Sequence, residues 1–146
     1  VDAMHSAKDR DLVARQYANG FQQVLDDGVS LLGEGQKRFS TLSQAIVFAH
    51  VAMMARFPDS LIARKCGEET AKQSQMMAAK ITEQIDHESR NGLSSEALEA
   101  YWAGIAELDF WLRSDGHKRN PGTTADLIAA SLFVAIHNKI VSPPFR

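Results

Sequence analysis

Apolar residues recur at spacings of three and four along the chain and nowhere at a sustained spacing of two, which predicts helices and no strand. Five segments carry the pattern. Asp9–Leu25 puts Leu12, Val13, Tyr17, Phe21, Val24 and Leu25 on one stripe. Asp9 and Asp11 fall in its first turn, where the helix dipole favours anions. Gly28, Gly33 and Gly35 are expected to stop this helix and form a loop. Thr41–Arg56 opens on Thr41-x-x-Gln44, a capping-box spacing. It is apolar almost all round from Ala45 to Ala55, the mark of a helix buried on most sides, and Phe57-Pro58 ends it. Ser60–His87 follows Asp59 as N-cap, with Ile62, Cys66, Met77, Ile81 and Ile85 inside, Lys72, Gln73 and Glu83 in water, and a turn at Asn91-Gly92. Ser95–Leu112, capped by Ser94, lines up Leu98, Trp102, Ile105, Leu108 and Leu112, and Ser114–Arg119 reads as a polar loop. Thr124–Lys139 carries Leu127, Ile128, Leu132, Phe133, Val134 and Ile136 on most of its faces. The fold expected is all-α: a single helical bundle of about five helices, one domain over residues 1–146, with the second and fifth helices largely apolar and central.

Length and charge narrow the function classes. A chain of 146 residues has room for one sizeable core. Sixteen basic against eighteen acidic residues give a net charge of −2, which argues against a strongly basic nucleic-acid-binding domain. The single cysteine, Cys66, excludes an internal disulfide or a cysteine-only zinc site and fits a reducing compartment, most simply the cytoplasm. No apolar run approaches the roughly 20 residues that span a bilayer, so no membrane partner is expected. The chain opens on Val1-Asp2-Ala3-Met4-His5, without an initiator Met or a signal-peptide core, and reads as a fragment of a longer protein or a processed chain.

Walker, dinucleotide-fingerprint, His-Glu-x-x-His and Gly-x-Ser-x-Gly patterns are absent. The five histidines (5, 50, 87, 117, 137) are not paired at metal-ligand spacing, and His50 lies in the apolar run as a core or interface residue. Cys66 reads as a small hydrophobe. Three polar clusters remain. In the first, Arg10 and Asp11 diverge on a helix, and the cluster reads as a solvated face with an Asp11–Arg15 ion pair. The second is Asp59-Ser60-Leu61-Ile62-Ala63-Arg64-Lys65, followed by Gly67. Cations one turn into a helix oppose its dipole. They point either to a phosphate-bearing ligand or acidic neighbour, or to a solvated Lys65 beside a capping Asp59. Gly67 inside that helix suggests the close approach of a helix or ligand. The third cluster is Asn120-Pro121-Gly122-Thr123-Thr124-Ala125-Asp126-Leu127. Pro-Gly turns the chain, Thr123 or Thr124 caps the last helix, and free amides there form an anion site. Asp126, taken to lie in the first turn, is either a capping partner or a carboxylate for a metal-bound phosphate.

In this order and spacing, these three blocks resemble the C-terminal half of the triphosphoribosyl-dephospho-CoA synthase family, from Arg10 to Phe133. The resemblance is carried by Asn120–Leu127 with Leu132-Phe133, by Asp59–Lys65 with Gly67 and Glu69-x-Ala71, and by Arg10-Asp11 with Gln16-Tyr17-Ala18-x-x-Phe21. It implies an all-helical enzyme that joins ATP, as substrate, to 3′-dephospho-CoA and releases adenine, for the prosthetic group of an acyl carrier protein. A ribose hydroxyl attacks the anomeric carbon of ATP through an oxocarbenium-like transition state. This requires a carboxylate and cations for the triphosphate. On this resemblance Asp59 and Asp126 take the carboxylate role. Arg64, Lys65 and Arg10 take the triphosphate, Asn120, Thr123 and Thr124 bind ligand or order the turn, and Mg²⁺ is expected on the triphosphate with Asp126 as a ligand. Asp59, Arg64, Lys65, Asn120 and Asp126 should then converge on one open rim. Family members are about twice as long, with a Gly-, His- and Asn-rich stretch in their N-terminal half that has no counterpart here. The expected partners are therefore nucleotide substrates and a missing N-terminal half, and the chain alone is expected to lack part of the site. The alternatives are a related transferase with another acceptor, or a non-catalytic helical module that binds a partner or forms a homodimer through its excess of apolar faces.

Overall fold

The structure, a computed structural model, describes residues 2–88, 94–142 and 145. The turn expected at Asn91-Gly92 lies outside the described residues, as do Pro143, Pro144 and Arg146. Among the described residues the chain is all-α and has no strand. Its elements are α1 (Asp2–Ala7), α2 (Leu12–Asn19), a π-helical turn (Gln23–Gly28), α3 (Val29–Arg38), α4 (Leu42–Arg56), α5 (Ser60–Cys66), α6 (Glu68–Glu88), α7 (Ser95–Arg113) and α8 (Gly122–His137). No single described helix is long and apolar enough to cross a membrane. The chain divides into two compact units, Val1–Met53 with Gly122–Arg146, and Met54–Pro121.

In the first unit the helix expected over Asp9–Leu25 is shorter and is followed by a second. Asp11 caps α2, its Oδ1 accepting from the amides of Val13 (2.9 Å) and Ala14 (3.1 Å). Gly20 and Phe21 both adopt positive φ and end α2. The chain then re-enters a helix and passes straight through Gly28, Gly33 and Gly35, which correct the expected loop. The reason is close packing. A Cβ on Gly28 would lie 2.0 Å from Ser131 Oγ, and one on Gly35 would lie 2.9 Å from the backbone of Ala45. These glycines admit a neighbouring helix; they do not stop their own. The predicted stripe is also corrected: Leu12 and Val24 are buried, but Tyr17, Phe21 and Leu25 face solvent.

α4 keeps its expected span and burial. Ala45, Phe48, Ala49, Val51, Ala52, Met53 and Met54 are all core, and Thr41 Oγ1 accepts from the amide of Gln44 at 3.2 Å. α8, expected to be central on most faces, is not. It buries Leu127, Ile128, Ser131 and Ala135 on one side, while Phe133 on the other is 74% exposed.

In the second unit the helix expected from Ser60 to His87 is two helices, separated at Gly67 (φ 94°, ψ 157°). That backbone region is essentially open only to glycine. No atom lies within 4 Å of a Cβ built there, so conformation and not close approach explains the residue. α6 buries Ala71, Ser74, Ala78, Ile81 and Ile85, a clean three–four alternation. Lys72, Gln73 and Glu83 are exposed as expected, whereas Cys66 and Met77 are half-buried. α6 packs on α7, where a Cβ on Gly104 would meet Ile81 at 3.1 Å. Ser94 caps α7 through the amide of Ala97. The deepest aromatic residue on α7 is Tyr101, beside the half-buried Trp102 that the pattern favoured.

Candidate active site

The block after Pro58 is shaped by a tight helical start. Proline disfavours a helical residue before it, so α4 ends at Arg56 and Asp59 is left extended (φ −68°, ψ 121°). Its Oδ1 accepts from the amides of Leu61 (2.8 Å) and Ile62 (3.1 Å), and the residue is 1% exposed. The amides that could have received a phosphate at this helix start are therefore held by the protein's own carboxylate. α5 is seven residues long, about 10 Å. Arg64 and Lys65 stand in its last turn, both exposed. Cations at that end agree with the helix dipole, which corrects the expectation that they oppose it. Asp59 and the cationic pair thus occupy opposite ends of one short helix.

Gln75 on α6 was not singled out by the sequence. Its Nε2 donates to the carbonyls of Ala55 (3.1 Å) and Arg56 (3.2 Å), so it satisfies two of the last carbonyls of α4 and fixes the bend that presents α5. Asn120 is exposed and follows a polar turn as expected. In that turn Arg119 lies 4.4 Å over the ring of Trp111 and donates to its carbonyl at 3.0 Å.

The remaining candidates belong to the first unit. Arg10 is exposed in the turn before α2. α8 starts at Gly122, so Thr123 and Thr124 lie inside its first turn, not at its cap, and both are buried. Asp126 stands beyond the first turn, exposed. These positions correct the expected threonine cap and the expected place of Asp126. The candidate set is thereby divided, with Asp59, Arg64, Lys65 and Asn120 in one unit and Arg10, Thr123, Thr124 and Asp126 in the other.

The same unit holds a buried polar network that the sequence did not reveal. Gln16, 2% exposed, donates from Nε2 to Gln23 Oε1 (2.7 Å) and to the carbonyl of Leu12 (3.0 Å). Its Oε1 accepts from the amide of Val24 (3.3 Å). Asn19 also donates to Gln23 (2.9 Å), and Ser131 Oγ donates to the carbonyls of Val24 (3.0 Å) and Leu127 (2.8 Å). Together these bonds serve backbone groups around the π-helical turn and tie it to α8.

Among the described residues no three His, Cys, Asp or Glu side chains come close enough to hold a metal ion. A Mg²⁺ carried on a triphosphate needs only one or two carboxylates beside the phosphate oxygens, and the exposed Asp126 has the chemistry for that.

A family profile described as ATP:dephospho-CoA triphosphoribosyl transferase, CitG, matches residues 1–144. The chain belongs to the CitG family. No curated protein and no solved structure matches it. The match takes in residues 1–144 of the 146 given, including α1 and α8, and so extends beyond the Arg10–Phe133 span of the motif blocks. CitG-family membership makes this a chain of the triphosphoribosyl-transferase type, with ATP as the family's substrate.

Proposed function

We propose that the chain supplies the C-terminal part of a cytoplasmic transferase that moves the triphosphoribosyl group of ATP onto 3′-dephospho-CoA. The family match over residues 1–144 supports triphosphoribosyl transfer, and the resemblance of the motif blocks supports the C-terminal place. A ribose hydroxyl of the acceptor attacks C1′ of the ATP ribose. The C1′–N9 bond breaks, the C1′–O bond forms, the hydroxyl proton passes to a carboxylate, and adenine leaves with a proton from solvent. Positive charge develops at C1′, so a nearby carboxylate lowers the barrier. Asp126 is exposed and suited to that contact or to the ion on the triphosphate. Asp59, buried at the head of α5, is the second carboxylate, and its capping bonds also hold the helix that carries Arg64 and Lys65. Arg64, Lys65 and Arg10 bind the triphosphate. Asn120 binds ligand at the turn, and Thr123 and Thr124 order the start of α8 behind Asp126. Asp126 would hold the Mg²⁺ that accompanies the triphosphate, and the ion would offset the charge of the phosphate oxygens.

The test is adenine release from ATP with dephospho-CoA, measured on this chain and on the full gene product. Release that requires both substrates supports the assignment. Adenine release that ignores dephospho-CoA, or none from the full product, removes the stated acceptor.

A further inference from the structure

α8 buries one face, and its other face is built to receive another helix. At about 100° per residue the outer face consists of Asp126, Ala129, Ala130, Phe133, Ile136 and His137, and all six are exposed. It is apolar in the middle, with an acid at its start and an imidazole at its end. The Phe133 and His137 rings stack at 6.5 Å with 14° between their planes. An apolar stripe with a bulky residue beside two alanines is unusual on a solvated helix face.

The face is complementary to itself in one register. In an antiparallel pair with its twofold axis between Ser131 and Leu132, Phe133 of one protomer falls opposite the small Ala130 of its partner, and Asp126 falls opposite the partner's His137. Each contact occurs twice, as an isologous interface requires. A parallel pairing would set Phe133 on Phe133 and Asp126 on Asp126, losing both matches. We propose that this face of α8 is the seat of a second copy of the chain, docked antiparallel. A single helix pair buries less than the roughly 1,600 Å² of a standard interface, so the dimer is concentration-dependent. The proposal shares Asp126 with the transferase reading but is read out in mass and not in adenine release, so the failure of one is distinguishable from the failure of the other.

Sedimentation velocity over a concentration series tests it on four chains: wild type, Phe133→Glu, His137→Glu, and the double variant Asp126→Lys with His137→Glu. Far-ultraviolet circular dichroism checks that each is folded. Wild type should shift from monomer to dimer mass as concentration rises. Phe133→Glu should weaken the dimer by about tenfold or more. His137→Glu sets acid against Asp126 and should weaken it. The double variant, which places opposite charges at these two positions across the axis, should recover it. Monomer mass at every concentration overturns the proposal, as does a dimer that is indifferent to Phe133→Glu and to the charge swap.

Discussion

Ser131 fills the space that a side chain on Gly28 would need. Its Oγ stands 2.0 Å, and its Cβ 2.7 Å, from where a Cβ on Gly28 would be, while the same Oγ donates to the carbonyls of Val24 and Leu127. One hydroxyl thus joins the π-helical turn to α8 and sets how closely they approach. Gly28→Ala should therefore destabilise the protein by about 1–3 kcal/mol through overpacking, read as a lower urea midpoint. Ser131→Gly removes both clashing atoms, so the double variant should be less destabilised than the sum of the two single ones. Additive losses would mean that the two positions do not share this contact.

Asp59 separates capping from chemistry. Asparagine caps a helix about as well as aspartate, whereas alanine costs about 0.5–2 kcal/mol. Asp59→Asn should keep thermal stability close to wild type, and Asp59→Ala should lower it. If the carboxylate also serves the transfer, Asp59→Asn in the full product should lose adenine release while staying folded. Full activity in that variant would leave Asp59 with the cap alone.

Gly67 is the opposite case to Gly28, since conformation and not space confines it. Alanine at φ 94°, ψ 157° meets no atom within 4 Å but pays backbone strain of about 1–3 kcal/mol. Gly67→Ala should lower the unfolding midpoint, and no substitution in a neighbouring side chain should rescue it.

The two glycines also show where the sequence was legible and where it was not. A glycine in a helical pattern signals a stop, a close approach or a positive φ, and the letter is the same for all three. The pattern read Gly28 as a stop and Gly67 as a close approach. Packing of α8 against the π-helical turn decided the first, and a backbone angle decided the second, and neither is visible along one strand of sequence. The caps at Asp59 and Ser94 were legible because their partners lie two or three residues away. Gln16, Gln23 and Gln75 were not, because an amide side chain is placed only once its partner is known, and the half-buried Gln75 finds its acceptors on α4, about 20 residues back. α8 was read as central because composition counts apolar residues without saying that Phe133 faces outward. The motif blocks carried family membership. The helix boundaries around them moved Arg64 and Lys65 to the end of α5 and Asp126 beyond the first turn of α8.

Gln16 tests the polar network directly. Replacing it with leucine keeps the volume but leaves the Val24 amide without the acceptor it now has, and Gln23 with one donor fewer. Leaving buried polar groups unsatisfied costs about 1–3 kcal/mol, so Gln16→Leu should be destabilised by that order. Hydrogen exchange at the Val24 amide should quicken more than at α7. Uniform quickening would assign the loss to the whole fold and not to this junction.

Arg64 and Lys65 give the sharpest separation of stability from function. Both are exposed in the last turn of α5, where a cation contributes about 0.3–1 kcal/mol through the helix dipole. Lys65→Ala should therefore change stability by less than about 1 kcal/mol. If the side chain holds the triphosphate, the same substitution should raise KM for ATP by about 10- to 150-fold, the loss expected when a hydrogen bond to a charged group worth about 1.5–3 kcal/mol is removed. Lys65→Arg should restore most of the affinity, because the charge is kept. Substituting Lys72, an exposed cation on the next helix, should leave KM unchanged. Equal effects at Lys65 and Lys72 would point to general electrostatic attraction of ATP and would remove the specific role assigned to the end of α5.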